Sequence, residues 1–392
     1  MSAARNPWPA ADIHVEWGVP GVEQAVARGD GVVVVDVMSF STVVTLLTQR
    51  GATVRGLAPD DIATLGGRDA VAERLGAHVA GENRGDPSAR FTLSPASASR
   101  VSAGDRLVLP SPNGGRLTTA CAGAPFAVVG SLRNCAAVGE FVAVARRLEL
   151  VERVTIVAAA EQWKADWTGA DRSRFALEDW LGAGAIASEA RNLGVHLSAE
   201  AETAARAFAS ARADLDALLA ESLSGRELRD AGFAEDVVLA SEVAVDPGVP
   251  CLGADGFVAR LPFAVRPATE GDRTYLFTLK QATMREYIAD AFGGWDEREQ
   301  RTMFDPDLAR TAIVSVDGRA AGMIEARRDR GGIYLANIEV DPEYQSIGLG
   351  ARLVGLLATA AHAHDLPLVL QVLKTNPRAR RFYERVGLRV TG

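Results

Sequence analysis

Gln345-Ser-Ile-Gly-Leu-Gly350 decides how the last third of this chain is read. Residues 334–340 before it have the pattern of a strand, and residues 351–362 after it have helical periodicity. A loop that opens a helix leaves backbone N–H groups without intrahelical acceptors, and the positive end of the helix dipole adds to them. Gly348 and Gly350 keep the backbone free of obstructing side chains, so the loop predicts an anion site fit for a pyrophosphate. It is not a P-loop, because no GxxxxGK[ST] occurs and the chain has three lysines. Nor is it a GxGxxG turn with an acidic ribose partner.

Working outward, residues 264–268 read as a strand and 273–287 as a helix. Residues 312–316 and 320–327 form a hairpin about Asp317-Gly318. Asp341-Pro-Glu-Tyr-Gln345 precedes the glycine loop, and Asn376-Pro-Arg-Ala-Arg-Arg-Phe-Tyr-Glu-Arg-Val-Gly-Leu388 follows its helix. With these two motifs in order, residues 263–392 closely resemble the GNAT-type N-acetyltransferase superfamily, a mixed α/β fold. The resemblance implies acetyl-CoA as acyl donor and an amine as acceptor. It places the pyrophosphate on the loop that begins at Gln345, against the amides of Ile347, Gly348, Leu349, Gly350, Ala351 and Arg352. The pantetheine would pair with the strand at Val340, and Asn376 stands where a CoA-contacting side chain is common. Glu339 matches the position of a base acting through water, and Tyr383 that of the acid for the leaving thiolate. Both have plainer readings, Tyr383 as packing under the CoA and Glu339 as a solvated strand-end carboxylate. Residues 388–390 read as a strand with Gly392 directly after, whereas members of the superfamily continue through one more strand. The expectation is a sheet that lacks an edge or borrows one.

The whole chain, 392 residues, is long enough for two cores. Hydrophobic residues at 48% and charged residues at 23% are a globular composition. The net charge is −8, with residues 1–261 at −9 and the remainder at +1. That balance argues against nucleic acid or an anionic membrane as partner, both of which need a basic surface. Cys121, Cys135 and Cys251 have neither CxxC spacing nor a histidine pair, so they read as reduced thiols. The first residues lack the apolar stretch of a signal peptide, and no run approaches the ~18 apolar residues of a membrane span. The expected location is cytoplasmic, and self-association into a homo-oligomer is left open. Six Pro and Gly residues crowd between Asp246 and Pro262, predicting a front domain over 1–246, a linker over 247–262 and a rear domain over 263–392.

In the front domain, short apolar runs at 32–37, 53–57, 77–80, 106–110, 126–129 and 154–158 alternate with helical patterns. They predict a covered, largely parallel α/β sheet. Ser39, Ser41 and Thr42 are suited to capping a helix over 43–49. Residues 198–219 read as one amphipathic scaffold helix. Polar residues gather after the strands: Asp36, Gly81-Glu82-Asn-Arg84-Gly85, Ser111-Pro-Asn113, Gly130-Ser131-Leu-Arg-Asn134 and Phe175-Ala-Leu-Glu178-Asp179. In a parallel sheet these ends would share one rim, where ligands bind. Carboxylates with few basic groups suit a hard cation such as Mg²⁺, and glycine and hydroxyl donors suit phosphate oxygens. Haloacid-dehalogenase chemistry is excluded because Asp36-Val-Met38 lacks the second aspartate that it needs.

The set, together with Phe91-Thr-Leu-Ser-Pro95, Ala183-Gly-Ala-Ile186 and Glu235-Asp236, resembles the 2-phosphosulpholactate phosphatase family over about residues 12–260. The resemblance implies Mg²⁺-dependent hydrolysis of a phosphate monoester on a small acidic 2-hydroxy acid. Asp36, Glu82, Glu178 and Asp179 become candidate metal ligands or water-activating carboxylates. Asn113, Ser131 and Asn134 would orient the phosphate, with Arg84 as its counter-charge. Glu178-Asp179 has a plainer reading as acids in a helix first turn, and Asp236 as a helix-start acid. Ser39 stands where the relatives closest to the namesake substrate carry arginine, which puts the sulfonated substrate in question. The loop 161–173 reads either as a lid or as a packed surface segment. The leading expectation is a bifunctional fusion. The alternative is an acetyltransferase regulated by a non-catalytic, ligand-binding front domain, and a third reading keeps the rear domain only as a CoA-binding or dimerisation module.

Overall fold

Val32, Val33, Val34 and Val35 are each at most 1% exposed, so the β-branched run that lacks polar alternation is a strand covered on both faces. The computed structural model describes residues 11–163, 173–329 and 331–391. The chain divides into two compact units, one of residues 1–142 and 152–261, the other of residues 143–151 and 262–392.

The first unit carries β1 (Ile13–Trp17), β2 (Gly31–Val35), β3 (Thr53–Leu57), β4 (His78–Val79), β5 (Arg106–Pro110), β6 (Ala127–Gly130) and β7 (Val154–Ala158). It continues with β8 (Glu161–Gln162), β9 (Ser173–Arg174), β10 (Pro250–Leu252) and β11 (Val258–Arg260). Nine of these form one sheet in the order β1-β7-β2-β6-β10-β11-β3-β5-β4, while β8 and β9 pair separately. β1, β7, β2 and β6 are parallel neighbours, as are β3, β5 and β4. Between the two blocks stands the antiparallel pair β10–β11, bonded to β6 on one side and to β3 on the other. The segment 247–262, read from its Pro and Gly content as a linker, is therefore sheet. Its prolines and glycines flank a hairpin, with Gly256 at φ 78 in the turn.

Two helical readings also change. The hydroxyl cluster does not cap the helix Phe40–Gln49 through Ser39 at its N-cap. Instead Ser41 and Thr42 bond back to the carbonyls of Val34 and Val37, and the Asp36 carboxylate accepts from Phe40 N. The stretch 198–219 breaks into Ala199–Ala211, a 3₁₀ turn at Arg212–Asp214, and Leu215–Glu221. Ser198 caps the first of these by accepting from Ala201 N.

The second unit holds β12 (Ala264–Pro267), β13 (Thr311–Val316), β14 (Arg319–Asp329), β15 (Gly332–Val340) and β16 (Leu368–Leu370), in that order across a five-stranded sheet. Its pairs are antiparallel except β15–β16, which is parallel and bonded only over Ile333–Leu335. A register shift opposite Glu325/Ala326 leaves Ala336 as the extra residue of a bulge. Beyond it, residues 336–340 have no β16 partner among the described residues. The helices Arg273–Phe292 and Leu349–Ala363 pack on this sheet through Leu276, Leu279, Leu353 and Leu357, each at most 3% exposed. Residues 388–390, read as a strand, are not one; they follow the turn at Gly387 (φ 95) that ends the helix Pro377–Arg385. No helix among the described residues is long and apolar enough to cross a membrane.

Candidate functional sites

In the first unit, β2 delivers Asp36 to the N-termini of two helices. One carboxylate oxygen accepts from Phe40 N at 3.3 Å and the other from Gly114 N at 2.9 Å, the first residue of the helix Gly114–Ala120. The close approach needs glycine at 114, since a Cβ there would lie 2.1 Å from the Phe40 side chain. Val37 N donates to Asp179 Oδ1 at 2.8 Å, which ties the loop after β2 to the first turn of the helix Leu177–Asn192. Glu178 precedes Asp179 in that turn; the two are 2% and 3% exposed, unlike the solvated acids of an ordinary helix start. From the end of β5, Asn113 Nδ2 donates to Glu161 Oε1 at 3.2 Å. The loops after β2, β5 and β7 thus meet, although the sheet changes direction at the β10–β11 hairpin and has no single carboxyl-end rim.

Four carboxylates then act on one another. Burial, followed by the charge of Glu161, lifts Asp36 to about 7. Burial and then Glu178 and Asp36 push Asp179 well above the usual carboxylate range. Glu178 is raised by burial, against the opposing pull of a bond to Ser224 and of the Arg174 guanidinium. An excess of buried negative charge is the condition a divalent cation relieves, so the donor chemistry fits Mg²⁺. Among the described residues no group of three or more His, Cys, Asp or Glu side chains is placed to hold a metal ion. Mg²⁺ commonly uses one or two carboxylates and completes its shell with water and phosphate oxygens, so it does not need a third protein ligand.

Other predicted residues fall elsewhere. Arg84 donates to Ser39 Oγ at 3.1 Å and pairs with Asp236 at 2.7 Å. Asp236, which sequence reasoning weighed as a helix-start acid, is 2% exposed and also accepts from Ser94 Oγ at 2.5 Å. Glu82 is turned outward, 75% exposed and 3.9 Å from Arg68, and does not join the carboxylates. Asn134 is fully buried: its oxygen accepts from Ser131 N and stands 3.1 Å from Ser131 Oγ, and its nitrogen donates to Val129 O and Gly248 O. That fills its hydrogen-bonding capacity and leaves nothing for a phosphate, so Asn134 is a loop lock. Ser131 is equally buried, its hydroxyl between Asn134 and Thr45. Glu161 was missed as a site residue, although it lies just beyond β7 and the logic applied to the other strand ends would have found it. Of the loop 161–173, residues 164–172, with Lys164, Trp167, Asp171 and Arg172, lie outside the described residues.

The family model for 2-phosphosulpholactate phosphatase matches residues 20–254. The chain belongs to the 2-phosphosulpholactate phosphatase family. A second model, the acetyltransferase (GNAT) family, matches residues 280–388, so this phosphatase-family chain is a fusion of two enzyme families. Comparison with curated protein sequences gave no match. Among solved structures, the chain is similar to a putative streptothricin acetyltransferase from Bacillus anthracis in complex with acetyl coenzyme A. That alignment has 26% identity over 21% of this chain and 48% of that one, with a TM-score of 0.20, so the chain spans about half that protein's length. It is also similar to the PaiA N-acetyltransferase from Thermoplasma acidophilum in complex with coenzyme A, at 17% identity over 33% of this chain and 92% of that one, TM-score 0.28. The ribosomal-protein-S18-alanine N-acetyltransferase from Escherichia coli aligns at 22% identity over 33% and 79%, TM-score 0.26.

In the acetyltransferase unit, the glycine loop lies between β15 and the helix Leu349–Ala363, with Gly348 as N-cap at φ 88. Arg352 N donates to Gly348 O at 3.1 Å, so its amide is spent within the helix. The anion-facing set thereby shortens to the amides up to Ala351. Ile347 is 61% exposed on the loop, and Gln345 Nε2 closes the loop's base by donating to Val340 O at 2.8 Å. A Cβ at Gly350 would come 3.3 Å from the Phe382 ring, which brings the Pro377–Arg385 helix against this loop. Asn376 caps that helix, its oxygen accepting from Ala379 N.

Glu339 is 5% exposed rather than solvated. Its oxygens accept from Asn337 Nδ2 at 2.8 Å and Thr283 Oγ1 at 2.7 Å, and burial raises its pKa. Tyr383 is half-buried against Phe382, ring centroids 5.0 Å apart, and burial pushes its phenol to about 12. It therefore keeps its proton at neutral pH.

Proposed function

We propose that the first unit hydrolyses a small acidic phosphate monoester with Mg²⁺, 2-phosphosulpholactate or a related 2-phospho-hydroxy acid, and that the second transfers acetyl from acetyl-CoA to an amine. The observation that carries the first part is that the loops after β2, β5 and β7 meet at buried Asp36, with Glu178 and Asp179 buried beside them in a helix first turn and Glu161 tied in through Asn113. Bound through one or two of Asp36, Glu178 and Asp179, Mg²⁺ would neutralise phosphoryl oxygens and lower the pKa of a bound water. The chain supplies the rest. Asp36 is held by N–H groups of Phe40 and Gly114, which fix its carboxylate between the starts of two helices. Asn113, fixed by Glu161, would orient a phosphate oxygen. Arg84, held by Asp236, presents its guanidinium at Ser39 to the acid end of the substrate, where a carboxylate would bond bidentately.

In the second unit Glu339 serves as the base, its raised pKa making it a better proton acceptor than an ordinary carboxylate. Tyr383 donates to the departing thiolate. The unpaired edge of β15 beyond Leu335 fits the amide pairing of a pantetheine, and the amides from Ile347 to Ala351 fit its pyrophosphate. The work of this chain, on this reading, is two separate chemistries in one cytoplasmic polypeptide.

Inorganic phosphate release, measured with Mg²⁺ over a panel of 2-phospho-hydroxy acids that includes 2-phosphosulpholactate and repeated with chelator, tests the phosphatase. Chelator-sensitive release from a 2-phospho-hydroxy acid that lacks a sulfonate, in preference to 2-phosphosulpholactate, is the expected result. Release unaffected by chelator would overturn the Mg²⁺ assignment.

A further inference from the structure

Between β3 and the helices Pro59–Thr64 and Arg68–Leu75, the first unit has a cavity of about 240 Å³ lined by Arg55, Leu65, Val71, Arg74 and Leu75. Side chains alternate along a strand, so Arg55 shares one face of β3 with Leu57. Gly56 belongs to the other face, where a Cβ would meet the Phe40 ring at 2.7 Å. The floor of the cavity is apolar. Val71 is fully buried with Leu57, Ile62 and Val108, and Leu65 and Leu75 pack at the edge of that cluster. The mouth is cationic. Arg55 Nη1 donates to Asp255 O at 3.2 Å, which steadies the guanidinium with one of its five N–H groups. Arg74 stands in the last turn of its helix with no hydrogen bond or ion pair among the described residues. Neighbouring arginines are matched, Arg68 with Glu82 at 3.9 Å and Arg106 with the Asp255 carboxylate at 3.8 Å. No acidic residue lines the cavity, although residues 1–261 carry a net charge of −9.

We propose that this cavity is a binding site for a small organic anion, a carboxylate carried on an apolar body the size of a phenyl ring. The body lies on Leu65, Val71 and Leu75, and the guanidinium groups of Arg55 and Arg74 hold the carboxylate. A concave apolar floor with a few fixed polar groups is the usual form of a small-molecule site. Two guanidinium groups without a carboxylate of their own select an anion, and their planar forks match a carboxylate. The size agrees: an apolar cavity of about 150 Å³ is enough for benzene, so this one admits a ring and its carboxylate. Inorganic phosphate would satisfy the arginines and leave the apolar floor uncovered. The site is separate from the carboxylates around Asp36. In the sheet β3 stands four places from β2, about 19 Å at the usual strand spacing, and the cavity lies on the face away from Phe40. The inference rests on neither enzymatic reading.

The test titrates the full-length chain with three probes in chelator, where the carboxylates around Asp36 have no cation and repel an anion. Benzoate has both charge and ring, acetate has the charge alone, and benzyl alcohol the ring alone. Calorimetry should show benzoate at one site, at least about ten-fold tighter than either of the others, with a matching rise in Tm. Arg55→Met and Arg74→Met keep an apolar stem and remove the charge. Each should weaken benzoate at least about five-fold and leave benzyl alcohol unmoved. Benzoate that does not bind, or binds no better than benzyl alcohol, overturns the anion site. Benzoate affinity kept in Arg74→Met also overturns it. That exposed variant decides the matter if Arg55→Met, deprived of its bond to Asp255, lowers the Tm of the free protein.

Discussion

Asp36 accepts two backbone N–H bonds and still protonates near neutrality, because burial and neighbouring carboxylates outweigh those bonds. Its folded pKa, about 7, lies above the ordinary value of 3.8. Between those values the native state holds a proton that the unfolded chain has released, so this group's contribution to stability falls as pH rises through that window. Asp179 is shifted in the same direction. In chelator, wild type should therefore lose Tm relative to Asp179→Asn as pH rises from 5 to 8. The variant should gain on the order of 1 kcal/mol at the upper end, and Mg²⁺ should close the gap. A gap that narrows with rising pH in chelator would contradict this. Asn134 and Asn113 separate scaffold from site. Asn134→Ala should lower the unfolding free energy from urea titration by about 2–3 kcal/mol, through three stranded backbone groups. Asn113→Ala, at a half-buried position, should stay within about 0.5 kcal/mol yet slow phosphate release.

At the scale of elements, the strands were legible because covered parallel strands read as unbroken apolar runs; β3, β5 and β7 lie where their sequences place them. The hairpin β10–β11 was not, because three-residue strands flanked by Pro and Gly look like linker, and only long-range pairing to β6 and β3 makes them sheet. The same holds for Asn134: its type and strand-end position suit a phosphate ligand, and only the distant Gly248 carbonyl reveals that its bonds are already made. The glycine loop was legible between its strand and its helix, but the helix starts at Leu349 and not at residue 351, and the loss of the Arg352 amide depends on where that first turn closes. Gly348→Ala should cost about 1–2 kcal/mol at φ 88 and weaken CoA binding, read by titration calorimetry. Gly114→Ala should cost about 1–3 kcal/mol by forcing Phe40 aside, and should slow phosphate release by displacing the N–H that holds Asp36.

For the whole molecule, the proposed chemistries belong to two units that share no catalytic residue. Asp36→Ala should abolish phosphate release and leave acetyl-CoA-dependent thiol release unchanged, and Glu339→Gln should do the reverse. Loss of both activities in either variant, with Tm unaltered, would mean that the two units do not work independently. The central claim is that the carboxylates around Asp36 form a Mg²⁺-dependent phosphatase centre. The most direct measurement is inorganic phosphate release by wild type, Asp36→Ala and Glu178→Gln, with Mg²⁺ and with chelator, on the preferred ester of the panel. The expected result is release by wild type with Mg²⁺ only, and none from either variant at unchanged fold. Release that survives both substitutions would contradict it.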